Sequence, residues 1–228
     1  MDDTARMIAL LRRLKVEMNG AVVEAMQQRG IEYPLSYGVS IPTIQQIARE
    51  CPAGHSLALL LFRQQVRELM IAAVYVDRPE WVTRDQMEAW SQNLTNVEIV
   101  EQVASGLFFG APDALPVAME WMKSENSWLH YAALLMAGKR LMNPSEEDRQ
   151  QCELLLSVTD ACLRRMAADR SLSAYAIRAG VTLLRRCAML SPEWKDRVSA
   201  LNQAYMKDSL SLLNALSEEL TWQLEYTD

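Results

Sequence analysis

The stretch SENSWLHYAALLMAGKRL, residues 124–141, opens on polar, cap-forming side chains and passes through Trp128, His130 and Tyr131. It then runs on almost entirely as Ala, Leu and Met. These are strong helix formers, and a helix that is apolar on nearly every face belongs among other helices. Its small pair Ala132-Ala133 would let a neighbouring helix approach closely. Two further segments share the design: VRELMIAAVYVDR, with Ala72-Ala73, and SAYAIRAGVTLLRR, with Ala179-Gly180, each ending on Arg. The small pairs lie 60 and 47 residues apart, intervals compatible with two-helix repeats that carry insertions. The pattern predicts an all-α fold, a HEAT/ARM-like helical solenoid of antiparallel helix pairs.

Composition points the same way. Eight Gly and eight Pro in 228 residues are few, while Leu, Ala, Met, Glu, Gln and Arg are abundant. The net charge of −6 argues against a generic polyanion binder, leaving local charge to be examined. Cysteines 51, 152, 162 and 187 form no CxxC pair and read as reduced, structural thiols. Two distant histidines make a zinc site unexpected, and no motif calls for a cofactor. The N-terminal MDDTARMIALLRRLK has no signal-peptide core, and no apolar run reaches the roughly 20 residues of a bilayer span. A cytoplasmic protein without membrane contact is the expectation.

Period and punctuation place helices at about 4–29, 55–77, 84–92, 96–108, 113–123, 128–141, 146–157, 159–169, 172–189, 193–206 and 208–224, with a short one opening on Pro42. The breaks between them are short and polar, so residues 1–228 read as one continuous domain.

The order of segments is informative. YGVSIPTIQQIARE is followed by a helix with RELMIAA, by LTNVEIVEQVA, and by a Trp-Met helix leading into SENSWLHYAALL. Over roughly residues 15–190 this resembles the DNA alkylation repair family, the AlkD-like glycosylases. The resemblance implies HEAT-like repeats whose concave face binds duplex DNA, and excision of cationic N3- or N7-alkylated purines. Such a base is already a good leaving group. The family therefore needs a carboxylate to stabilise the oxocarbenium-like sugar and aromatic faces to hold the cation.

Laid on that pattern, Glu101 takes the carboxylate position, and Val97 stands where an aromatic is expected. Glu101 shares a helix stripe with Val97, Ala104 and Phe108; it either serves as the carboxylate or is a solvated charge on a helix flank. Thr95-x-x-Glu98 has the form of a capping box, which would give Glu98 a structural task. The family's Trp-Leu-x-Arg becomes Trp128-Leu129-His130-Tyr131, so Tyr131 replaces a charged DNA contact. A second family aromatic falls near Thr182. Trp128 and Tyr131 would then line the groove, with packing between repeats the other reading of Trp128.

Residues 160–190 carry Arg164, Arg165, Arg170, Arg178, Arg185 and Arg186 against Asp160 and Asp169, an excess of four positive charges. This is the one basic region large enough to track phosphates, although arginines at helix ends also suit the dipole and solvent. Residues 201–228 hold one Lys against two Asp and three Glu, an acidic end unsuited to DNA. Gly-rich phosphate loops, HExxH, GxSxG and EF-hand spacings are absent, and CPAGH (51–55) reads as a turn and helix start. Two functions are compatible with this reading. One is an AlkD-like protein that binds duplex DNA, with base excision weakened or lost. The other is a HEAT-like scaffold for a protein or peptide partner.

Overall fold

The computed structural model describes residues 2–171 and 173–225. All regular structure among them is helical, and the extended pairing they contain is an isolated parallel bridge between Leu35 and Val66. The all-α expectation holds. The chain divides into two compact units, Met1–Pro112 and Asp113–Asp228. Leu172, the expected first residue of one helix, and Asp228 of the acidic end lie outside the described residues.

The first unit holds α1 (Asp3–Val16), α2 (Gly20–Gln28), α3 (Ile41–Arg49), α4 (His55–Phe62), α5 (Arg67–Val76), α6 (Arg84–Ser91) and α7 (Val97–Gly106). Two helices expected to be continuous are each broken. In the first, Asn19 accepts N–H bonds from Ala21 and Val22 at 3.1 and 3.4 Å and donates its own N–H to the Tyr37 carbonyl at 2.9 Å. An Asn in extended backbone that caps the residues after it starts a new helix. In the second, Gln65 takes a φ of 54°, which ends α4 and lets α5 return antiparallel. The far ends of that pair are tied by Gly54 N–H to the Val76 carbonyl, and by His55 Nδ1 at 3.1 Å from both oxygens of the buried Asp77.

Helix α5 is the centre of this unit. Nine of its ten residues are buried, Tyr75 being the exception, because it packs on α3, α4 and α7 at once. Ala72 and Ala73 are fully buried at these contacts. Nearby, the Phe62 and Trp90 rings stack at 3.9 Å and 2°, with Phe108 tilted 5.6 Å from Trp90.

Two charged side chains open this apolar helix, and both are buried. Arg67 donates from Nε and NH2 to the two oxygens of Glu98 at 2.6 and 2.8 Å, and from NH1 to the Val39 carbonyl at 2.7 Å. Glu68 accepts the backbone N–H groups of Tyr37 and Val39 at 3.0 and 3.3 Å. Tyr33 donates its hydroxyl to Glu98 at 2.9 Å, so burial, reinforced by that carboxylate, pushes its phenol pKa far up. Together these bonds fix the irregular 31–40 segment. Gly38 is required there: its φ is +71°, and a Cβ would collide with the Asn19 carbonyl oxygen. The expected capping box is therefore corrected. Asn96 caps α7, accepting from Ile99 N–H at 3.1 Å, and Glu98 is the partner of Arg67.

The second unit holds α8 (Ala114–Trp121), α9 (Ser127–Arg140), α10 (Glu146–Gln150), α11 (Cys152–Ala168), α12 (Ala174–Ala188), α13 (Pro192–Met206) and α14 (Ser211–Glu225). Helix α9 packs between α8 and α12. It runs alongside α12 in the same direction, since Tyr131 meets Tyr175 and Gly138 meets Leu183. Ala132, Ala133, Ala179 and Gly180 are all buried, and a Cβ on Gly180 would press on Leu163 at 3.0 Å. Cys152, Cys162 and Cys187 are buried free thiols; burial pushes Cys162 up to about 11 and Cys187 up to about 12.

The first turn of α9 now has an assignment. His130 is buried, and its Nε2 lies 2.6 Å from the Ser124 carbonyl, to which it donates. Arg165 of α11 lies 2.9 Å from the same ring nitrogen and donates to the Met122 carbonyl at 2.5 Å and the Lys123 carbonyl at 3.4 Å. The two side chains thus satisfy carbonyls left open where α8 ends. His130 is a latch between α8 and α9.

Replacing Ala133 by Leu should overpack the α9 layer and cost about 1–3 kcal/mol in a denaturant melt. Glu98→Gln takes the bidentate carboxylate from buried Arg67 and leaves Glu68, 3.0 Å from its NH1, as the remaining counter-charge, and should cost about 1.5–3 kcal/mol; a loss below about 1 kcal/mol would mean the pair is solvated. Burial, reinforced by the nearby Arg165 charge, lowers the His130 pKa below its ordinary value. The unfolded chain therefore takes up that proton first, and the latch's stability is present above about pH 6.5 and lost as pH falls toward the lower folded pKa. Urea midpoints at about pH 7.5 and about pH 5 should drop further in wild type than in His130→Gln, which keeps a donor but does not titrate.

Candidate nucleic-acid interface

Helix α7 buries Ile99, Val100, Val103 and Ala104, and turns Val97, Glu101, Gln102 and Ser105 to a half-buried flank. Ala104 and Phe108 are fully buried, so the stripe they share with Glu101 is packed at one end and open at the other. Glu101 lies on the open part. Beside it a hydrogen-bonded row crosses three helices: Gln45 of α3 donates to the Tyr75 hydroxyl at 2.8 Å, and Tyr75 donates to Gln102 at 2.7 Å. Arg49 lies over the Tyr75 ring at 5.4 Å. Burial raises the Tyr75 phenol pKa, so the hydroxyl stays protonated and can donate. Tyr75 and its two glutamines were not apparent in the sequence. A lone Tyr inside LMIAAVYV was the available signal.

In the second unit Tyr131 is 5% exposed, with its ring 6.3 Å from that of Tyr175, which is 47% exposed. Arg178 lies over Tyr175 at 5.5 Å, and Trp128 is half-buried. The aromatic that meets solvent here is Tyr175, a residue missed by sequence reasoning; Tyr131 lies behind it. Thr182, at the family's second aromatic position, is exposed and donates its hydroxyl to the Arg178 carbonyl at 2.8 Å.

The six arginines fall into two groups. Arg164 donates to Asp160 at 2.8 Å and Asp208 at 2.7 Å and lies over the Tyr205 ring at 5.1 Å. Arg165 is engaged in the latch. These two are committed to holding the unit together. Arg170, Arg178, Arg185 and Arg186 have no carboxylate within ion-pair distance among the described residues, and the Nε atoms of Arg185 and Arg186 are buried without an acceptor there. Arg170 takes a φ of 55° after α11, where Ser171 N–H returns to the Met166 carbonyl at 2.9 Å. This is a Schellman end with Arg in the position that favours glycine. Arg178 and Arg185 succeed Tyr175 along α12 at helical spacing, with Thr182 between them.

No three His, Cys, Asp or Glu side chains among the described residues are grouped as metal ligands. No described helix is long and apolar enough to cross a membrane. The surfaces that carry Glu101 and the free arginines offer chemistry of another kind: half-buried aromatics, amides and guanidinium groups, which suit bases and phosphates.

A family profile described as DNA alkylation repair enzyme matches residues 10–168. The fold is similar to a solved structure described as "A new family of proteins related to the HEAT-like repeat DNA glycosylases with affinity for branched DNA structures", at a TM-score of 0.71 and 14% identity, with 94% of each chain covered. No curated protein matches. The HEAT-like expectation from the small-residue pairs thus holds for the fold, and a profile match over most of the chain establishes the family. The chain belongs to the DNA alkylation repair enzyme family.

Proposed function

We propose that this protein binds duplex DNA in the manner of the AlkD-like proteins, with excision of N3- and N7-alkylpurines weak or lost. The observation that carries the reading is the sorting of the arginines. In a chain of net charge −6, Arg170, Arg178, Arg185 and Arg186 remain without carboxylates among the described residues. An unpaired guanidinium set beside an exposed tyrosine suits a phosphate backbone and the base edges above it. The similar solved protein is described as having affinity for branched DNA, so a four-way junction belongs among the ligands to test.

Weak excision is expected from the residues that replace the family's own. Val97 offers no ring to a cationic base, and the phenol at Tyr131 carries no charge. A cation–π contact contributes roughly 0.5–2 kcal/mol and a charged hydrogen bond about 1.5–3 kcal/mol. Losing both removes about 2–5 kcal/mol, a fall of roughly thirty- to several-thousand-fold in rate. Glu101 is the carboxylate on which any remaining release depends.

The test joins two readouts on one preparation. Fluorescence anisotropy on a duplex and a junction of matched length, at two salt concentrations, should show affinity falling steeply with salt. Arg178→Ala and Arg185→Ala should each weaken binding and flatten the salt slope by about one unit. Absent or salt-independent binding would sink the DNA reading. Single-turnover release of 7-methylguanine should be slow in wild type and slower still in Glu101→Gln. Release unaffected by that change would show that the carboxylate lies elsewhere.

A further inference from the structure

Helices α13 and α14 turn back on each other through residues 207–210, and a groove of about 520 Å³ opens between them. Asn202 lies at its floor, 6% exposed. Its Nδ2 donates to the Thr221 hydroxyl at 2.7 Å, and its backbone carbonyl accepts from Ser217 at 3.2 Å. Its Oδ1 is buried and accepts from no group among the described residues. A buried acceptor of this kind is stabilised by a ligand that brings an O–H or N–H. Above it stand Lys195 and Glu225, a cation and a carboxylate that line one groove without forming an ion pair with each other. Ser199 donates to the Lys195 carbonyl at 2.7 Å, which leaves its oxygen free to accept. Leu224 and Met206 supply the apolar wall, and Met206 is 56% exposed.

We propose that this groove binds a neutral, polyhydroxylated ring: the vicinal diol of a sugar, free or as the ribose of a nucleoside. One cation and one anion at the same groove cancel, so the site selects against net charge. A carboxylate accepts both hydroxyls of a vicinal diol, as acidic residues do with ribose. Lys195 donates to a ring or hydroxyl oxygen, Asn202 Oδ1 accepts a third hydroxyl, and the C–H face of the ring lies on Leu224 and Met206. The site lies on α13 and α14, which carry neither Glu101 nor the unpaired arginines, so it is independent of the DNA reading.

The experiment is a nuclear magnetic resonance titration of the isotope-labelled full chain with ribose, glucose, adenosine and 2′-deoxyadenosine at millimolar concentration. Ribose and adenosine should move the Asn202 carboxamide and Thr221 amide signals, while 2′-deoxyadenosine, which lacks the diol, should bind at least roughly tenfold more weakly. Glu225→Gln, a change at an exposed position, should weaken diol binding by roughly tenfold and leave the melting temperature unchanged. Stronger binding of ribose and glucose than of adenosine would identify a free sugar, and the reverse a nucleoside; either supports the proposal. Detectable and equal binding of adenosine and 2′-deoxyadenosine overturns it. So does silence of the groove signals with every ligand, or diol binding that ignores Glu225→Gln.

Discussion

The first unit depends on one buried ion pair. Arg67 and Glu98 meet through two parallel bonds of 2.6 and 2.8 Å, and everything irregular nearby is attached to them. The 31–40 segment has no regular backbone pairing of its own to satisfy its N–H and C=O groups, so side chains of α5 and α7 must do it. Arg67 takes one carbonyl and Glu68 takes two N–H groups. Asn96 donates to the Glu32 carbonyl at 3.0 Å. Burying an isolated guanidinium would be strongly unfavourable, and it becomes tolerable because each of its three nitrogens donates to an acceptor and two carboxylates, Glu98 and Glu68, offset its charge. The pair therefore ties three sequence-distant elements at one point. Since Glu98 is on the same short helix as Glu101, it also fixes the helix that presents the proposed carboxylate.

Charge in this protein is understood by tracing partners rather than by counting. Six arginines in 31 residues looked like one basic patch, yet Arg164 reaches Asp208, 44 residues away, and Arg165 reaches carbonyls at the end of α8. Adjacent residues on a helix point about 100° apart, so Arg164 and Arg165 meet different neighbours despite identical chemistry. The α12 row and Arg170 are left without a carboxylate among the described residues.

The same distinction explains what the sequence disclosed. The helical period, the short polar breaks and the small pairs at Ala72-Ala73, Ala132-Ala133 and Ala179-Gly180 are local properties, and they were legible. The two missed breaks turn on single residues: Asn19, visible in the Asn-Gly pair, and Gln65, whose positive φ no pattern announced. Thr95-x-x-Glu98 matched a capping signature, but Asn96, a better cap one residue on, took the role and released Glu98 to Arg67. Tyr131 read as a groove-lining residue, and its neighbour His130 carried no assigned role. His130 proved to be a latch, and Tyr131 lies behind Tyr175, because their neighbours come from α11 and α12.

The cysteines have a use that their burial creates. Three thiols sit in the core of the second unit, on α11 and α12, and Cys51 alone belongs to the first. A thiol held at high pKa and out of water does not meet a labelling reagent until its surroundings open. The chain thus carries an intrinsic clock: modification of Cys152, Cys162 and Cys187 keeps time for the opening of one unit, while half-buried Cys51 reports separately on the other.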